Sequence, residues 1–252
     1  MLTKNELKFY HSLSKKKVRY EHKLFIAEGL RLIQDGLNSD FICELLLITK
    51  EFADKNNELI KLATHKHVRI ELLKEYDLQK ISETVNPQGA LAVFRMSYSS
   101  LAKIQKSDTI IALENISDPG NLGTVIRTCD WFGFTNIIAN KYCADLYNPK
   151  VVRSTMGSLF HVNFFQSENF YDDLNALKKQ KYKLMTADMN GSNLYNIVSA
   201  EKNILCFCNE ANGPSLELKN ITDEFITIPA KGKAESLNVA IAAAIIISHF
   251  GH

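Results

Sequence analysis

Among 252 residues there are only five cysteines, five prolines and one tryptophan. The most apolar stretch, Leu237 to Ile247, falls far short of the roughly 20 residues that span a bilayer, so a buried helix or a subunit contact fits it better. The cysteines (Cys43, Cys129, Cys143, Cys206, Cys208) are odd in number and irregular in spacing. No secretory leader stands before them, which argues against a disulfide framework. They are expected as reduced core thiols of a cytosolic protein. Cys206 and Cys208 fall on one candidate strand, where they are expected to face opposite sides and not to pair. No zinc-type spacing of Cys and His is present, so no metal is expected.

The signatures of common α/β ligands are missing too. No G-x-G-x-x-G follows a strand and no G-x-x-x-x-G-K-[ST] occurs, which removes the usual dinucleotide and P-loop sites. No G-x-S-x-G elbow supports a hydrolase. A nicotinamide-dependent oxidoreductase would rest on the α/β pattern alone. A formal net charge of +2 is too mild to imply a polyanionic partner by itself, and 46% hydrophobic with 23% charged residues is ordinary for a globular chain.

Charge placement says more than charge total. Residues 1–31 hold eight Lys or Arg (Lys4, Lys8, Lys15, Lys16, Lys17, Arg19, Lys23, Arg31) against Glu6, Glu21 and Glu28. Such a stretch concentrates on polyanions through counterion release, or forms a solvated helix face.

The periodicity predicts two α/β units. Residues 1–95 show helical spacing at Leu7, Tyr10 and Leu13 and at Leu30, Ile33 and Leu37, with strands expected at 44–49, 68–71 and 90–95. The polar, Ser-rich segment 96–107 reads as a linker. Residues 108–252 alternate strands (109–114, 136–139, 162–165, 184–187, 204–208, 225–228) with helices (119–132, 149–158, 170–180, 236–249). That alternation implies a parallel sheet covered on both faces.

Three segments of the second unit place Gly, Pro, Asn or Ser just after a candidate strand: Asn115-Ile-Ser-Asp-Pro-Gly-Asn-Leu-Gly-Thr-Val-Ile-Arg127, Cys208-Asn-Glu-Ala-Asn-Gly-Pro-Ser215, and Ile228-Pro-Ala-Lys-Gly-Lys-Ala-Glu-Ser-Leu-Asn238. Loops beyond strand ends are where open parallel sheets bind ligands. Asp118-Pro119 suits a helix start. In the helix that follows, Leu122, Val125, Ile126, Cys129 and Phe132 form a core stripe, and Thr124, Arg127 and Trp131 fall on another face.

These segments resemble the three motifs of the SPOUT superfamily, in its SpoU/TrmH branch of RNA ribose 2′-O-methyltransferases. The first motif, N-x-x-D-P-x-N-x-G-x-x-x-R, is matched by Asn115, Asp118, Pro119, Asn121, Gly123 and Arg127. The third is matched by Ile228-Pro229 and Ser236-Leu237-Asn238 before a small-residue helix. The second departs, with Cys208 where the family carries glycine two positions before Glu210, while Gly213 is retained. The N-terminal unit, through Phe25-x-x-Glu28-Gly29 and Ser82-x-Thr84-x-x-Pro87-Gln88-Gly89, resembles the substrate-binding domain often fused to these enzymes.

The resemblance implies an S-adenosylmethionine-dependent RNA 2′-O-methyltransferase, a C-terminal trefoil knot and a homodimer. Ribosomal RNA is favoured over tRNA because of the appended unit, with a tRNA enzyme or an inactive RNA-binding member as alternatives. It implies catalytic roles for Arg127, Asn121, Glu210, Ser236 and Asn238, and cofactor contacts for Cys208, Gly213, Ile228 and Leu237. Arg127 meets ribose and phosphate in that family, either helping to remove the 2′-OH proton or stabilising the alkoxide. Lys150 and Arg153 match a segment near the RNA, and Lys15, Lys16, Lys17 and Arg19 are the candidate phosphate contacts of the N-terminal unit.

Overall fold

The computed structural model describes residues 2–209 and 212–251. Its ten strands are β1 (Leu24–Glu28), β2 (Cys43–Thr49), β3 (Arg69–Leu73), β4 (Ala90–Arg95), β5 (Thr109–Glu114), β6 (Asn136–Asn140), β7 (Asn163–Ser167), β8 (Lys183–Asn193), β9 (Asn203–Cys208) and β10 (Glu224–Thr227). They form a four-stranded sheet, β1-β4-β2-β3, and a six-stranded sheet, β10-β8-β9-β5-β6-β7. The chain packs as two units, one of residues 1–97 with 145–160, the other of residues 98–144 with 161–252.

The division expected from sequence was continuous, whereas the packed units are not. Segment 145–160, including the helix Pro149–Thr155, lies with the first unit. Two interactions within that unit hold it there. Phe25 and Phe94 of the sheet stack with Tyr147 and Phe160 in one aromatic cluster. Beside it, Arg19 gives Asp145 a 2.5 Å ion pair and donates to the carbonyls of Leu13 and Ser14 at 2.9 and 2.6 Å. Asp145 also accepts from Tyr20 Oη at 3.1 Å.

This corrects one expectation. Arg19 is only 2% exposed, so it is an internal clasp and not a phosphate contact. The clue that failed was charge counting, which treats every cation in a basic stretch as solvated. Lys15, Lys16 and Lys17 beside it are exposed.

In the second unit every ladder is parallel. Ile110, Ala112, Ile138, Leu174, Leu177, Leu184, Ile204, Cys206 and Cys208 share one core cluster. Cys206 and Cys208 therefore lie on the same side, contrary to expectation, because residues two apart in a strand share a face. The final helix, Val239–Phe250, starts three residues later than the expected position 236, since Asn238 is its cap. Among the described residues no helix is long and apolar enough to cross a membrane.

A substitution at the buried pair tests the placement of segment 145–160. Asp145→Ala leaves the Arg19 cation buried without its partner, a change that costs about 3–5 kcal/mol. Urea unfolding should register that loss, whereas Lys16→Ala should stay within about 0.5 kcal/mol of the parent. Equal stability of the two variants would refute the clasp.

Candidate functional site

Parallel strands deliver their following loops to one edge, and the three sequence segments meet there. Asn115 follows β5 in a left-handed conformation, φ +60°. Its backbone N–H donates to Asn140 Oδ1 at 3.1 Å, and Asn140 Nδ2 returns a bond to Asn115 Oδ1 at 2.9 Å. The Asn115 carbonyl accepts from Asn209 Nδ2 at 3.4 Å, which ties the first segment to the second. Asp118 then caps the helix Pro119–Trp131 through the Asn121 N–H at 2.8 Å.

The third segment reaches the first through another asparagine pair. Asn238 Oδ1 caps the final helix by accepting from the N–H groups of Ala240 and Ile241, at 2.9 and 3.4 Å. Its Nδ2 donates to Asn121 Oδ1 at 3.0 Å. Two helix N-termini, each carrying a partial positive charge, are thereby fixed beside each other. Arg127 projects from the exposed face of the first of these helices, without a hydrogen-bond or ion-pair partner among the described residues. Ser236 is exposed in the loop before Asn238.

A cavity of about 530 Å³ opens at the carboxyl ends of β8, β9 and β10. Its apolar lining includes Phe207, Ile226, Val239, Ala242 and Ile246, and its polar lining includes Asp188, Asn209, Thr227 and Ser236. Cys208, Gly213, Ile228 and Leu237, the four expected cofactor contacts, all border it. Gly213 adopts φ +62°, a left-handed conformation that costs a glycine little. Glu210 lies outside the described residues.

One wall arises from an irregularity that sequence reading missed. Along β10, the partner of Phe225 is Thr186 but that of Ile226 is Ser192, so residues 187–191 of β8 bow out of the ladder. Ala187, Asp188 and Met189 of this excursion line the cavity. Gly191 lets the strand return, because a Cβ there would lie 2.5 Å from the Ile226 nitrogen. The only sequence sign was a lone glycine near the end of a strand.

The thiol of Cys208 packs in the core against Cys206 and the Glu114 carboxylate. Contact with the Cys206 thiol, burial, and the Glu114 charge all push its pKa up, so it stays protonated. The residue thus borders the cavity with its side chain turned into the core. Lys150 is exposed and Arg153 half-buried on the helix Pro149–Thr155 of the first unit. Among the described residues no group of three or more metal-ligating side chains occurs.

An open parallel sheet with its cavity beyond the strand ends, flanked by an arginine helix and two helix N-termini linked by the Asn121–Asn238 hydrogen bond, defines a SPOUT-type methyltransferase domain. The chain belongs to the SpoU rRNA methylase family, which matches residues 108–248. The MRM3-like substrate binding domain matches residues 4–92. Over 246 residues the chain is 33% identical to the 23S rRNA (guanosine(2553)-2′-O)-methyltransferase RlmP of Bacillus subtilis, covering 97% of this chain and 95% of that one. A TrmH-family protein of Porphyromonas gingivalis superposes with TM-score 0.87 at 31% identity, covering 99% and 98% of the two chains. The S-adenosylmethionine-bound rRNA methyltransferase of Sinorhizobium meliloti does so with TM-score 0.88 at 28% identity, covering 99% and 95%.

The double duty of Asn238 can be separated by substitution. Asn238→Ala loses the cap and should destabilise the protein by about 1 kcal/mol. Asn238→Asp keeps a capping oxygen but loses the donor to Asn121, so its melting temperature should stay close to that of the parent while methyl transfer falls. A fully active Asn238→Asp variant would remove the bridge from the catalytic arrangement.

Proposed function

We propose that the protein methylates a ribose 2′-OH of ribosomal RNA, with S-adenosylmethionine as donor and Arg127 as the central catalytic residue. The observation that carries this reading is the convergence of the Asn121–Asn238 bridge, the exposed Arg127 helix and the cavity beyond β8–β10 on one edge of one sheet. The cavity fits the cofactor in size and chemistry. Its volume lies within the range of small-molecule sites, and its walls are mainly apolar with a few polar groups. Ile228, Leu237, Ala242 and Ile246 would enclose the flat adenine, and Asp188, Asn209 and Thr227 offer polar contacts. The kinship with RlmP, whose substrate is 23S rRNA, favours ribosomal RNA over tRNA.

When bound, S-adenosylmethionine supplies an electrophilic methyl group on a sulfonium sulfur. The chain must hold the ribose hydroxyl in line with that methyl and stabilise negative charge as its proton leaves. A guanidinium does not readily give up a proton, so an arginine at this position acts better as an electrostatic clamp on alkoxide and phosphate than as a base. The N-terminus of the final helix, capped by the neutral Asn238, adds fixed positive potential on the same side. Glu210 and Ser236 complete the proposed set as groups that orient the hydroxyl. In the first unit, Lys15, Lys16, Lys17, Lys150 and Arg153 are the proposed phosphate contacts.

The protein is further proposed to act as a homodimer. The final helix buries Val239, Ala240, Ala243, Ile246 and Ile247, yet Ile241 on its other side is 53% exposed, and Trp131 is 83% exposed. Exposed apolar surface of this kind suits a partner copy. The chain path also supports the family knot: from edge strand β10 it returns to pack the final helix against Pro119–Trp131 and β9.

Transfer of labelled methyl from S-adenosylmethionine to unmodified RNA, followed by separation of ribosomal RNA from tRNA, tests the reading. Label should appear as 2′-O-methylnucleotide in ribosomal RNA. Arg127→Ala should reduce the rate by about 10²–10³-fold with cofactor binding retained. An Arg127→Ala variant as active as the parent would overturn the assignment of that residue, and label confined to tRNA would overturn the substrate.

A further inference from the structure

Beside Cys208, which borders the proposed cofactor cavity, lies a carboxylate to which the proposed reaction assigns no step. Glu114, the last residue of β5, is fully buried, and no cation pairs with it among the described residues. Its Oε1 accepts from Tyr171 Oη at 2.7 Å and from Ser215 Oγ at 2.6 Å, and its Oε2 accepts from the Ser215 N–H at 3.1 Å. Every one of these partners is a donor, so both oxygens of Glu114 serve as acceptors. Burying a carboxylate without a cation is costly, and hydrogen bonds from several donors are what make it tolerable.

The same side chain meets both ends of the segment that joins β9 to Ser215. Cys208 stands opposite Glu114 in the β5–β9 ladder, and its thiol lies against the Glu114 carboxylate. At the far end Ser215 is held three ways. It donates through Oγ and N–H to Glu114, and it caps the helix Leu216–Ile221 by accepting from the Leu218 N–H at 3.1 Å. Between these ends lie Asn209, Gly213 and Pro214, which line the cavity. Cys208, in place of the family's glycine, spans the space between cavity and carboxylate.

We propose that Glu114 is a positioning residue for the cofactor: by fixing both ends of segment 208–215 it sets the affinity for S-adenosylmethionine without touching it. The proposal rests on the assignment of the cavity as the cofactor pocket. A binding wall held in place before the ligand arrives spares the free energy of ordering it afterwards, and this gain appears in affinity, not in the chemical step. The side-chain hydrogen bonds of Glu114 go to Tyr171 and Ser215 and not to the helix Pro119–Trp131, so its substitution should act on cofactor affinity more than on turnover.

The test is calorimetric titration of S-adenosylmethionine into the full chain, with steady-state kinetics alongside. Glu114→Gln keeps the shape but sets an amide donor among donors, and Tyr171→Phe deletes one donor only. Glu114→Gln should raise the Kd about tenfold, equivalent to the loss of one hydrogen bond to a charged group. Tyr171→Phe should raise it by about threefold, and in both variants KM for the cofactor should rise by a larger factor than kcat falls. A purely structural role would lower the melting temperature yet leave Kd unmoved well below it, and that result overturns the proposal. If Glu114→Gln does not fold, the Kd of Tyr171→Phe decides. Ala242→Phe, which fills the cavity, keeps the two readings apart. Normal cofactor binding by that variant would refute the pocket itself; lost binding there with parental affinity in the folded Glu114 and Tyr171 variants would refute only the role of Glu114.

Discussion

A parallel ladder allows loops of one kind to leave a sheet by one edge only, and that constraint organises the second unit. β5, β8, β9 and β10 run the same way, so the segments that follow them must meet. Because β9 and β6 flank β5 on opposite sides, the chain reverses its direction of winding beside β5, the place where open α/β sheets have room for a ligand. The three glycine- and asparagine-rich segments start at residues 115, 208 and 228, so the first and last start 113 residues apart. Only strand direction brings them together.

What holds them there is polar. Asn115 with Asn140, Asn238 with Asn121, and Glu114 with Ser215 each tie the end of one strand or helix to that of another. Apolar packing of the Ile110, Leu174 and Ile204 kind fills the space below but fixes position loosely, since it has no preferred direction. A hydrogen bond has distance and angle, and a buried polar group without a partner costs free energy. The sheet therefore supplies stability and the paired side chains supply geometry, which a transfer reaction needs to within a fraction of an ångström.

The elements that sequence made legible are those with a local signature. The strands of the second unit and the helix Pro119–Trp131 follow from apolar runs, a capping Asp and a first-turn Pro, all within a few residues of one another. The short helices Lys50–Lys55 and Glu75–Ile81 are too brief for a period to repeat, so they carry no helical signature in sequence. β1, five residues long, was noticed only through its Phe25 and Glu28 motif. The candidate cofactor residues could be named because they sit in motifs. Asp188, Asn140 and Glu114 could not, because each acquires its role from a neighbour distant in sequence: Glu114 meets Ser215 across 101 residues.

The Arg19–Asp145 pair carries the same lesson into domain organisation. It spans 126 residues and draws segment 145–160 out of the methyltransferase half of the sequence into the packing of the N-terminal unit. The chain therefore passes between the units three times, after residues 97, 144 and 160. A single linker would allow the N-terminal unit to be an independent attachment. Three crossings do not, because a cut near residue 97 would strip Arg19 of its carboxylate and Phe25 of Tyr147. Lys150 and Arg153, encoded within the span of the methylase family, accordingly belong by packing to the unit that matches the substrate binding domain. RNA contacts proposed for Lys15, Lys16 and Lys17 on one side and for Lys150 and Arg153 on the other are thus contacts of one packed body, held together by the buried arginine that charge counting alone had assigned to the surface.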